Sequence, residues 1–300
     1  MNRKRLKILP VPGALEAQWS RCLVFCPMRR YSPREFLQLF GPHDVMTYAK
    51  PGRLLIEGDP TGGHINVIHR KMEVTTRLHE WETLVVVTDQ RTADPNMLVE
   101  RLTLEALRAR RDTVMLGRLR VLHIHIGENS TWDDHGMKLT FPLQCLKCIE
   151  VGCLDPRLVN GRANRPPKKR KPIFSYPAVL LDLVQGNEEE SRWLVENLSH
   201  AVAHYGTRKI VIQAHEDCKA HPVPGEQENL HVGMKARQEV SEKAIQILSK
   251  VPSLRNVRFS LGYETLDGVR LAVRRQRLGL QDEQLIVSGL PMSGMESAPH

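Results

Sequence analysis

Two stretches of the sequence decide the fold, Ile149-Glu-Val-Gly-Cys-Leu-Asp-Pro-Arg157 and Ile210-Val-Ile-Gln-Ala-His-Glu-Asp-Cys218. Each begins as an apolar run that leans towards β structure, which predicts a strand, and each ends in side chains of the kinds that bind metals. In open α/β folds the functional site lies at the carboxyl ends of the strands. The two stretches therefore predict an α/β protein in which Cys153, His215 and Cys218 meet at one edge of a sheet.

These three side chains form a plausible set of metal ligands. Two thiolates and one imidazole are soft to borderline ligands that suit zinc. Three protein ligands leave a fourth position for water, which is typical of a catalytic rather than a structural zinc site. Asp155 and Arg157 share a loop with Cys153, so a carboxylate held by a guanidinium is expected beside that water. The candidate ligands are thus Cys153, His215 and Cys218, and the candidate catalytic residues are Asp155 and Arg157.

The order of these motifs resembles the zinc site of the β-class carbonic anhydrases, where Cys-x-Asp-x-Arg after one strand is followed by His-x-x-Cys after a later one. Both motifs are intact, and the resemblance covers roughly residues 143–275. It implies Zn²⁺-dependent hydration of carbon dioxide to bicarbonate by a metal-bound hydroxide, the reaction of a carbonate dehydratase. By the same resemblance, Asp155 would orient the zinc-bound water and Arg157 would hold Asp155 ionised. In some members of the family that aspartate instead ligates zinc.

Two departures from the family pattern concern the expected substrate pocket. Lys219 replaces the glycine that usually follows the second motif, and Phe174-Ser-Tyr-Pro177 replaces a segment of Arg-Asn-Ala-Gly type. A related small electrophile, such as carbon disulfide or carbonyl sulfide, is therefore an alternative to carbon dioxide. His221 is a candidate proton shuttle because an imidazole titrates near neutral pH, although a surface histidine is the simpler interpretation.

The sequence also contains an internal repeat. Cys26-Pro-Met-Arg-Arg30 corresponds to Cys153-Leu-Asp-Pro-Arg157, with methionine in place of the aspartate. Val85-Val-Val-Thr-Asp-Gln-Arg91 corresponds to the strand before the second motif, but no His-x-x-Cys follows it. Leu122-His-Ile-His-Ile-Gly127 and Arg258-Phe-Ser-Leu-Gly262 both lead to a later Asp and Gly. A tandem duplication with a degenerate first copy explains this order, and a chance similarity of two α/β halves is the alternative.

The duplication predicts how the chain is divided. We expect two carbonic-anhydrase-like lobes, each a mainly parallel sheet flanked by helices, which together form a pseudo-dimer within one chain. The sequence leaves open whether such chains also associate into oligomers. The predicted parts are a basic arm at 1–20, a degenerate lobe without a metal site at 21–142, a zinc-binding lobe at 143–290 and a disordered tail at 291–300.

Local sequence patterns predict the individual elements. Apolar spacing and N-cap residues favour five helices, and apolar or alternating runs favour seven strands and two short extended pieces. The predicted helices cover 33–40, 65–81, 97–116, 187–205 and 230–251. The predicted strands cover 21–26, 83–87, 119–126, 149–152, 176–183, 208–214 and 256–261, with short extended pieces at 45–48 and 53–57.

Composition limits the classes of protein. Of 300 residues, 41% are hydrophobic and 26% are charged, which is ordinary for a globular protein. No run approaches the roughly 18 apolar residues that span a bilayer, and Lys7 and Pro10 interrupt any signal-peptide core. Six cysteines in this length are no disulfide framework. We therefore expect a protein of the cytoplasm or another intracellular compartment, without a membrane span.

The positive charge suggests a second class of function. The net charge is +9, and much of the excess lies near the N-terminus and in the run Arg162-Ala-Asn-Arg-Pro-Pro-Lys-Lys-Arg-Lys171. Such a run can bind RNA or another polyanion. The simpler interpretation is a solvated loop, because no aromatic residue lies within the run to stack on bases. The alternative function is therefore a non-catalytic, carbonic-anhydrase-like zinc protein that binds a polyanion or takes part in an assembly.

Four other groups carry side chains of metal-binding or nucleophilic types, and we expect each to be structural. A lone Cys-x-x-Cys lacks the second pair of a four-thiolate site, and an alternating His-x-His places two imidazoles on one face of a strand. An Asp-Asp-His run suits a turn, and nothing marks two cysteines that flank a strand as nucleophiles. These groups are Cys145 and Cys148, His123 and His125, Asp133 to His135, and Cys22 and Cys26.

Overall fold

The structure, a computed structural model, is an α/β protein. The predicted arm at 1–20, the predicted tail at 291–300 and most of the predicted helix at 97–116 lie outside the described residues. The structure describes residues 22–56, 63–79, 81–90, 98–99, 102, 120–127, 131–134, 137–153, 155–165, 171–226, 229–266, 270–273 and 287–288. Contacts divide the chain into two units, the first formed by 1–144, 154–170 and 175–177 and the second by 145–153, 171–174 and 178–300.

The first unit contains a parallel four-stranded sheet in the order β2-β1-β3-β4 and an antiparallel hairpin, β5-β6. All residues of β1, β2 and β3 are buried, as in parallel sheets that are covered on both faces. The strands are β1 (Cys22–Pro27), β2 (His43–Tyr48), β3 (Thr83–Asp89), β4 (Arg120–Ile126), β5 (Thr131–Asp134) and β6 (Met137–Thr140). The helices are α1 (Pro33–Phe40), α2 (Gly52–Ile56), α3 (Gly63–His79) and α4 (Arg157–Ala163), and α4 packs against α1.

The second unit contains a six-stranded sheet in the order β12-β11-β10-β9-β7-β8. Strand β9 is parallel to both β7 and β10, whereas β11 is antiparallel to its two neighbours. The strands are β7 (Cys148–Gly152), β8 (Ile173–Ser175), β9 (Lys209–His215), β10 (Arg258–Glu264), β11 (Arg270–Val273) and β12 (Val287–Ser288). The helices are α5 (Val179–Gln185), α6 (Glu188–Tyr205) and α7 (Leu230–Ser249), and α5 packs against both of the others.

The two sheets share one strand order. The sequence β2-β1-β3-β4 in the first unit is matched by β8-β7-β9-β10 in the second. Their registers match as well, because the first residues of the two central strands are opposite each other in both units. These pairs are Cys22 with Thr83, and Cys148 with Lys209. Counted along the strands, Asp89 takes the place of His215, and Pro27 takes the place of Cys153. By this count the place of Cys153 falls one residue after Cys26, the residue that the sequence pattern matches to it.

Three local predictions are wrong. The strand expected at 176–183 is largely the helix Val179–Gln185, because a short apolar run does not distinguish a buried helix from a buried strand. The extended piece expected at 53–57 is the short helix Gly52–Ile56, which is too short to show a helical period. Asp133 and Asp134, expected in a turn, lie in strand β5, where the hairpin partner β6 satisfies the backbone.

A buried histidine makes the first unit sensitive to acid. His43 Nδ1 donates to the carbonyl oxygen of Gly41 at 2.8 Å, and Nε2 lies 3.1 Å from the Tyr31 hydroxyl. Burial lowers the pKa of His43 from 6.5 to about 4, although the hydrogen bond to Gly41 opposes this change. The folded protein therefore resists protonation at a pH where the unfolded chain accepts a proton.

We expect the free energy of unfolding to be highest above pH 6.5 and to fall as the pH drops towards 4, as His43 titrates. The loss from this one residue approaches about 3 kcal/mol at the acid end. Urea unfolding between pH 4.5 and 7 measures it. His43→Gln should flatten the profile, whereas His231→Gln, at an exposed position, should not. A profile that is equally steep in His43→Gln would contradict this assignment.

Candidate metal centre

Cys153, His215 and Cys218 meet at the carboxyl ends of β7 and β9. Their candidate ligand atoms lie within 4.8 Å of one another, and the two sulfur atoms are 3.4 Å apart. All three side chains are buried. Since Cys153 directly follows β7 and His215 ends the neighbouring parallel strand, the sheet itself brings the first two ligands together. The group could hold a metal ion.

The hydrogen bond of the His215 ring selects its ligand atom. Nδ1 donates to the carbonyl oxygen of Glu216 at 2.8 Å, which fixes the ring orientation and the tautomer. Nε2 is then the nitrogen with a lone pair to offer to a metal. A carbonyl oxygen bonded to the second ring nitrogen is the usual support of a metal-binding histidine.

The surroundings of the thiols favour the thiolate, which is the form that binds metals. The hydrogen bond with Cys153 holds the pKa of Cys218 far below its ordinary value of 9.0, against the opposing effect of burial. The positive charge of Arg237 lowers this pKa further. Cys218 is thus prepared to lose its proton when a cation binds.

A turn of unusual backbone conformation places Cys218. Asp217 has φ +44, in the left-handed region that aspartate tolerates better than most residues. Its backbone N–H donates to Glu226 Oε1 at 2.8 Å, and the N–H of Glu216 donates to the Glu264 carbonyl oxygen at 2.9 Å. These bonds anchor both residues between the two ligands, so that His215 and Cys218 face the same point.

A buried ion pair supports this turn. Arg237 on α7 donates to both carboxylate oxygens of Glu226, with Nη2 2.5 Å from Oε2. Its Nη2 also donates to the carbonyl oxygen of His221 at 3.0 Å. A Cβ at Gly233 would overlap the Glu226 carboxylate, so a glycine is needed on that face of the helix. Sequence patterns do not single out Glu226 or Arg237. Gly233, a glycine inside an amphipathic helix, is a signal of a close neighbour.

Another glycine allows the two central strands to approach. A Cβ at Gly152 would lie 2.7 Å from the backbone carbonyl oxygen of Gln213, well inside van der Waals contact. This contact occurs one residue before Cys153 and two residues before His215. A glycine at this point marks a close approach of two backbones, and it determines how near the two ligands can come.

A small cavity lies beside the candidate ligands. It is lined by all three of them together with His221 and Arg237. Its volume is about 30 Å³, and one water needs about 10–15 Å³, so the cavity holds two or three water-sized molecules. Its remaining wall is largely apolar and includes Val179, Leu180, Ala214 and Val240. The space suits a very small ligand.

The predicted carboxylate–guanidinium pair is formed. Asp155 is buried, and its two oxygens accept from Arg157 Nε at 2.9 Å and Nη2 at 2.6 Å. Oδ1 also accepts from the Arg157 backbone N–H at 2.9 Å. Such a bidentate pair holds a carboxylate ionised and fixed in orientation. Asp155 and Arg157 belong to the first unit and Cys153 to the second.

The first unit has an ion pair at the place that corresponds to a ligand. Asp89, which takes the position of His215 in the register, lies 3.3 Å from Arg30 Nε, and both side chains are almost fully buried. Arg30 also donates from Nη1 to the carbonyl oxygen of Phe141 at 2.9 Å. A guanidinium therefore supplies the positive charge at this point of the first unit.

The other side chains of metal-binding or nucleophilic type lie in surroundings that suit structural residues. Thr88 Oγ1 lies 2.7 Å from His123 Nε2 and 3.0 Å from His125 Nδ1, so one hydroxyl joins the two imidazoles. Burial raises the pKa of Cys22 to about 12 and that of Cys26 well above its ordinary value of 9.0, which suits inert core thiols. Cys145 is exposed and Cys148 is half-buried; neither belongs to a three-ligand group in the part of the chain that the structure describes.

The basic run at 162–171 is only partly exposed. Arg162 and Arg165 are buried. Lys171 Nζ lies 3.9 Å from a carboxylate oxygen of the buried Glu150. Residues 166–170 lie outside the described residues. Three of the cations in the run thus have partners or surroundings inside the protein, which reduces the charge that it can offer to a polyanion.

Comparisons with protein-family models, with curated proteins and with solved structures found no match to this chain. The candidate site therefore stands on its own geometry. Among the described residues, the helices are all too short or too polar to cross a bilayer.

Proposed function

We propose that Cys153, His215 and Cys218 bind one zinc ion and that the protein hydrates carbon dioxide to bicarbonate at this centre, as a β-class carbonic-anhydrase-like enzyme. The observation that carries the proposal is a Cys-His-Cys group at the edge of a sheet, open to a cavity of about 30 Å³. A substrate of three heavy atoms suits such a space, whereas a sugar or a nucleotide does not fit.

The donor set suits the metal. Two thiolates and one imidazole nitrogen are the ligand types of zinc, and three protein ligands are typical of its catalytic sites. A zinc ion there would supply Lewis acidity, which in carbonic anhydrase brings the pKa of a water to about 7. The protein prepares the ligands through the Glu216 carbonyl oxygen and the lowered pKa of Cys218.

The cavity wall has two further roles in this proposal. Apolar side chains such as Val179 and Leu180 favour an uncharged substrate and exclude bulk water. His221, which lines the cavity and is half-buried, would carry protons between the cavity and solvent. Burial and the charge of Arg237 lower the pKa of His221, so the ring is neutral and able to accept a proton at neutral pH.

Asp155 is the proposed catalytic carboxylate. This role depends on its position two residues after Cys153 in the sequence and on the family resemblance. Arg157 would keep the carboxylate ionised and oriented through the two bonds that it donates. Asp155 would then accept a hydrogen bond from the attacking water and direct its lone pair at the carbon of the substrate.

The Asp155→Asn variant tests this assignment. We expect it to keep about one zinc per chain and to lose about a hundredfold or more in the rate of carbon dioxide hydration, measured by stopped flow. Glu239→Gln, which neutralises an exposed carboxylate on α7, is the matched control and should keep the wild-type rate. A variant as active as wild type would refute the role of Asp155.

Activity of the zinc-loaded wild-type protein tests the reaction itself. Zinc binding with no hydration at any pH would overturn the hydratase proposal. Turnover of carbonyl sulfide or carbon disulfide instead of carbon dioxide would show that the substrate is a related small electrophile. A salt-dependent affinity for RNA that falls on deletion of residues 166–170 would instead favour the non-catalytic alternative.

We further propose that the chain is a tandem duplication whose first copy has lost its metal ligands. The shared strand order and the shared register of the two sheets support this idea. The buried pair of Arg30 and Asp89 suggests how the first copy stays stable without a metal. A guanidinium there supplies a fixed positive charge, and packing needs no zinc.

A further inference from the structure

A second cavity opens in the second unit at the start of β9 and β10. These parallel strands begin at Lys209 and Arg258 and end at His215 and Glu264, so the cavity lies at the opposite end of the strands from the metal ligands. Its volume is about 530 Å³, which is within the range of about 300–1,000 Å³ for small-molecule sites. The residues used below are Val202, Arg208, Lys209, Asn256, Val257 and Arg258.

Positive charge dominates this cavity. Three of its seven lining residues are cations, Arg208, Lys209 and Arg258, and none of the seven is acidic. The backbone holds them together, since the N–H of Arg258 donates to the Arg208 carbonyl oxygen at 3.0 Å and Lys209 is opposite Arg258 in the sheet. Both arginines are exposed, so their guanidinium groups can reach a ligand from solvent.

The fold does not require this charge. Like charges at directly opposite positions destabilise a sheet, and Lys209 opposite Arg258 is such a pair. The first unit has the same register, but there Thr83 is opposite Arg120, and Glu82 precedes Thr83. At these positions the first unit has one acidic, one neutral and one basic residue, whereas the second unit has three basic residues. A bound anion would offset the repulsion.

We propose that this cavity binds a phosphorylated small molecule of about the size of a nucleotide, a function separate from the metal centre. Two guanidinium groups suit phosphate, because their planar forks donate paired hydrogen bonds to its oxygens. Lys209 adds a third positive charge to the lining of the cavity. Val202 and Val257 give apolar surface for the rest of the ligand, and Asn256 adds an amide that can donate or accept.

Calorimetric titration with ADP at fixed ionic strength tests the proposal, with adenosine as the ligand that lacks phosphate. The double variant Arg208→Glu and Lys209→Thr copies the residues of the first unit, Glu82 and Thr83. We expect saturable binding of ADP, no binding of adenosine, and affinity at least about tenfold weaker in the double variant. Arg192→Ala removes an exposed cation on α6 outside the cavity and should bind as wild type does.

Thermal unfolding curves and zinc content show whether each variant is folded. Equal affinity in wild type and the double variant would overturn the proposal, and so would an equal loss in Arg192→Ala. Binding of adenosine as tight as that of ADP would show that phosphate is not recognised. RNA binding without any affinity for ADP would assign the charge to a polyanion surface and would also overturn it.

Discussion

Cys218→Ser is expected to leave the purified protein almost free of zinc, where wild type holds about one ion per chain. A serine hydroxyl is a hard, weakly acidic donor, whereas the Cys218 thiol has a strongly lowered pKa and gives up its proton readily. Groups that only orient a ligand are worth about 10–100-fold in metal affinity, so the loss of a ligand should exceed about a hundredfold. Competition with a chromophoric chelator measures the affinity, and elemental analysis measures the content.

Cys145→Ser is the matched control, because it removes a thiol that is exposed and outside the ligand group. It should keep both the zinc content and the affinity of wild type. If Cys218→Ser bound zinc as tightly as Cys145→Ser, the assignment of the ligands would be wrong. His215→Ala should behave like Cys218→Ser, since the imidazole is the third ligand of the same ion.

Arg237→Leu should strongly destabilise the protein, although Arg237 is not one of the proposed metal ligands. It leaves the Glu226 carboxylate buried beside Asp217 without its cation, and breaking a buried ion pair in this way costs about 3–5 kcal/mol. Urea unfolding of the metal-free protein measures the change. The second unit should unfold first, because Glu226 and Arg237 anchor the turn that precedes α7.

The double variant Glu226→Gln and Arg237→Leu shows how much of the destabilisation comes from the unpaired Glu226 charge and how much from the loss of the Arg237 side chain. Because it removes the stranded charge, it should be more stable than Arg237→Leu alone. Arg192→Leu, at an exposed position of α6, should change the free energy of unfolding by less than about 0.5 kcal/mol. An Arg237→Leu protein as stable as Arg192→Leu would show that the pair does not support the turn.

The sequence predicts the parts of the fold that depend on periodicity and on strand ends. The buried strands before Cys153 and His215 are evident from apolar runs, and parallel pairing then brings the ligands to one edge of the sheet. Helix α1 begins at Pro33, as its Ser-Pro start predicts. The assignment fails at Val179–Gln185, where a short segment with five apolar residues of seven suits a buried helix and a buried strand equally.

The support of the site could not be predicted in the same way. Glu226 and Arg237 are eleven residues apart, one in a loop and one in a helix, and charged residues at such positions are ordinarily solvated. Only the folded turn at Asp217 brings the Glu226 carboxylate next to the loop that joins His215 and Cys218. The burial of Arg162 is of the same kind, since a basic run suggests exposure until tertiary packing covers part of it.

X-ray absorption at the zinc edge, recorded on the purified protein, tests the central claim most directly. We expect a four-coordinate ion with two sulfur neighbours at about 2.3 Å, one imidazole nitrogen at about 2.0–2.1 Å and one light atom from solvent. Loss of this zinc signal in Cys218→Ser, with the signal unchanged in Cys145→Ser, would assign the ligands. Four protein ligands, or no zinc bound by a protein that is folded and fully reduced, would contradict a catalytic centre at Cys153, His215 and Cys218.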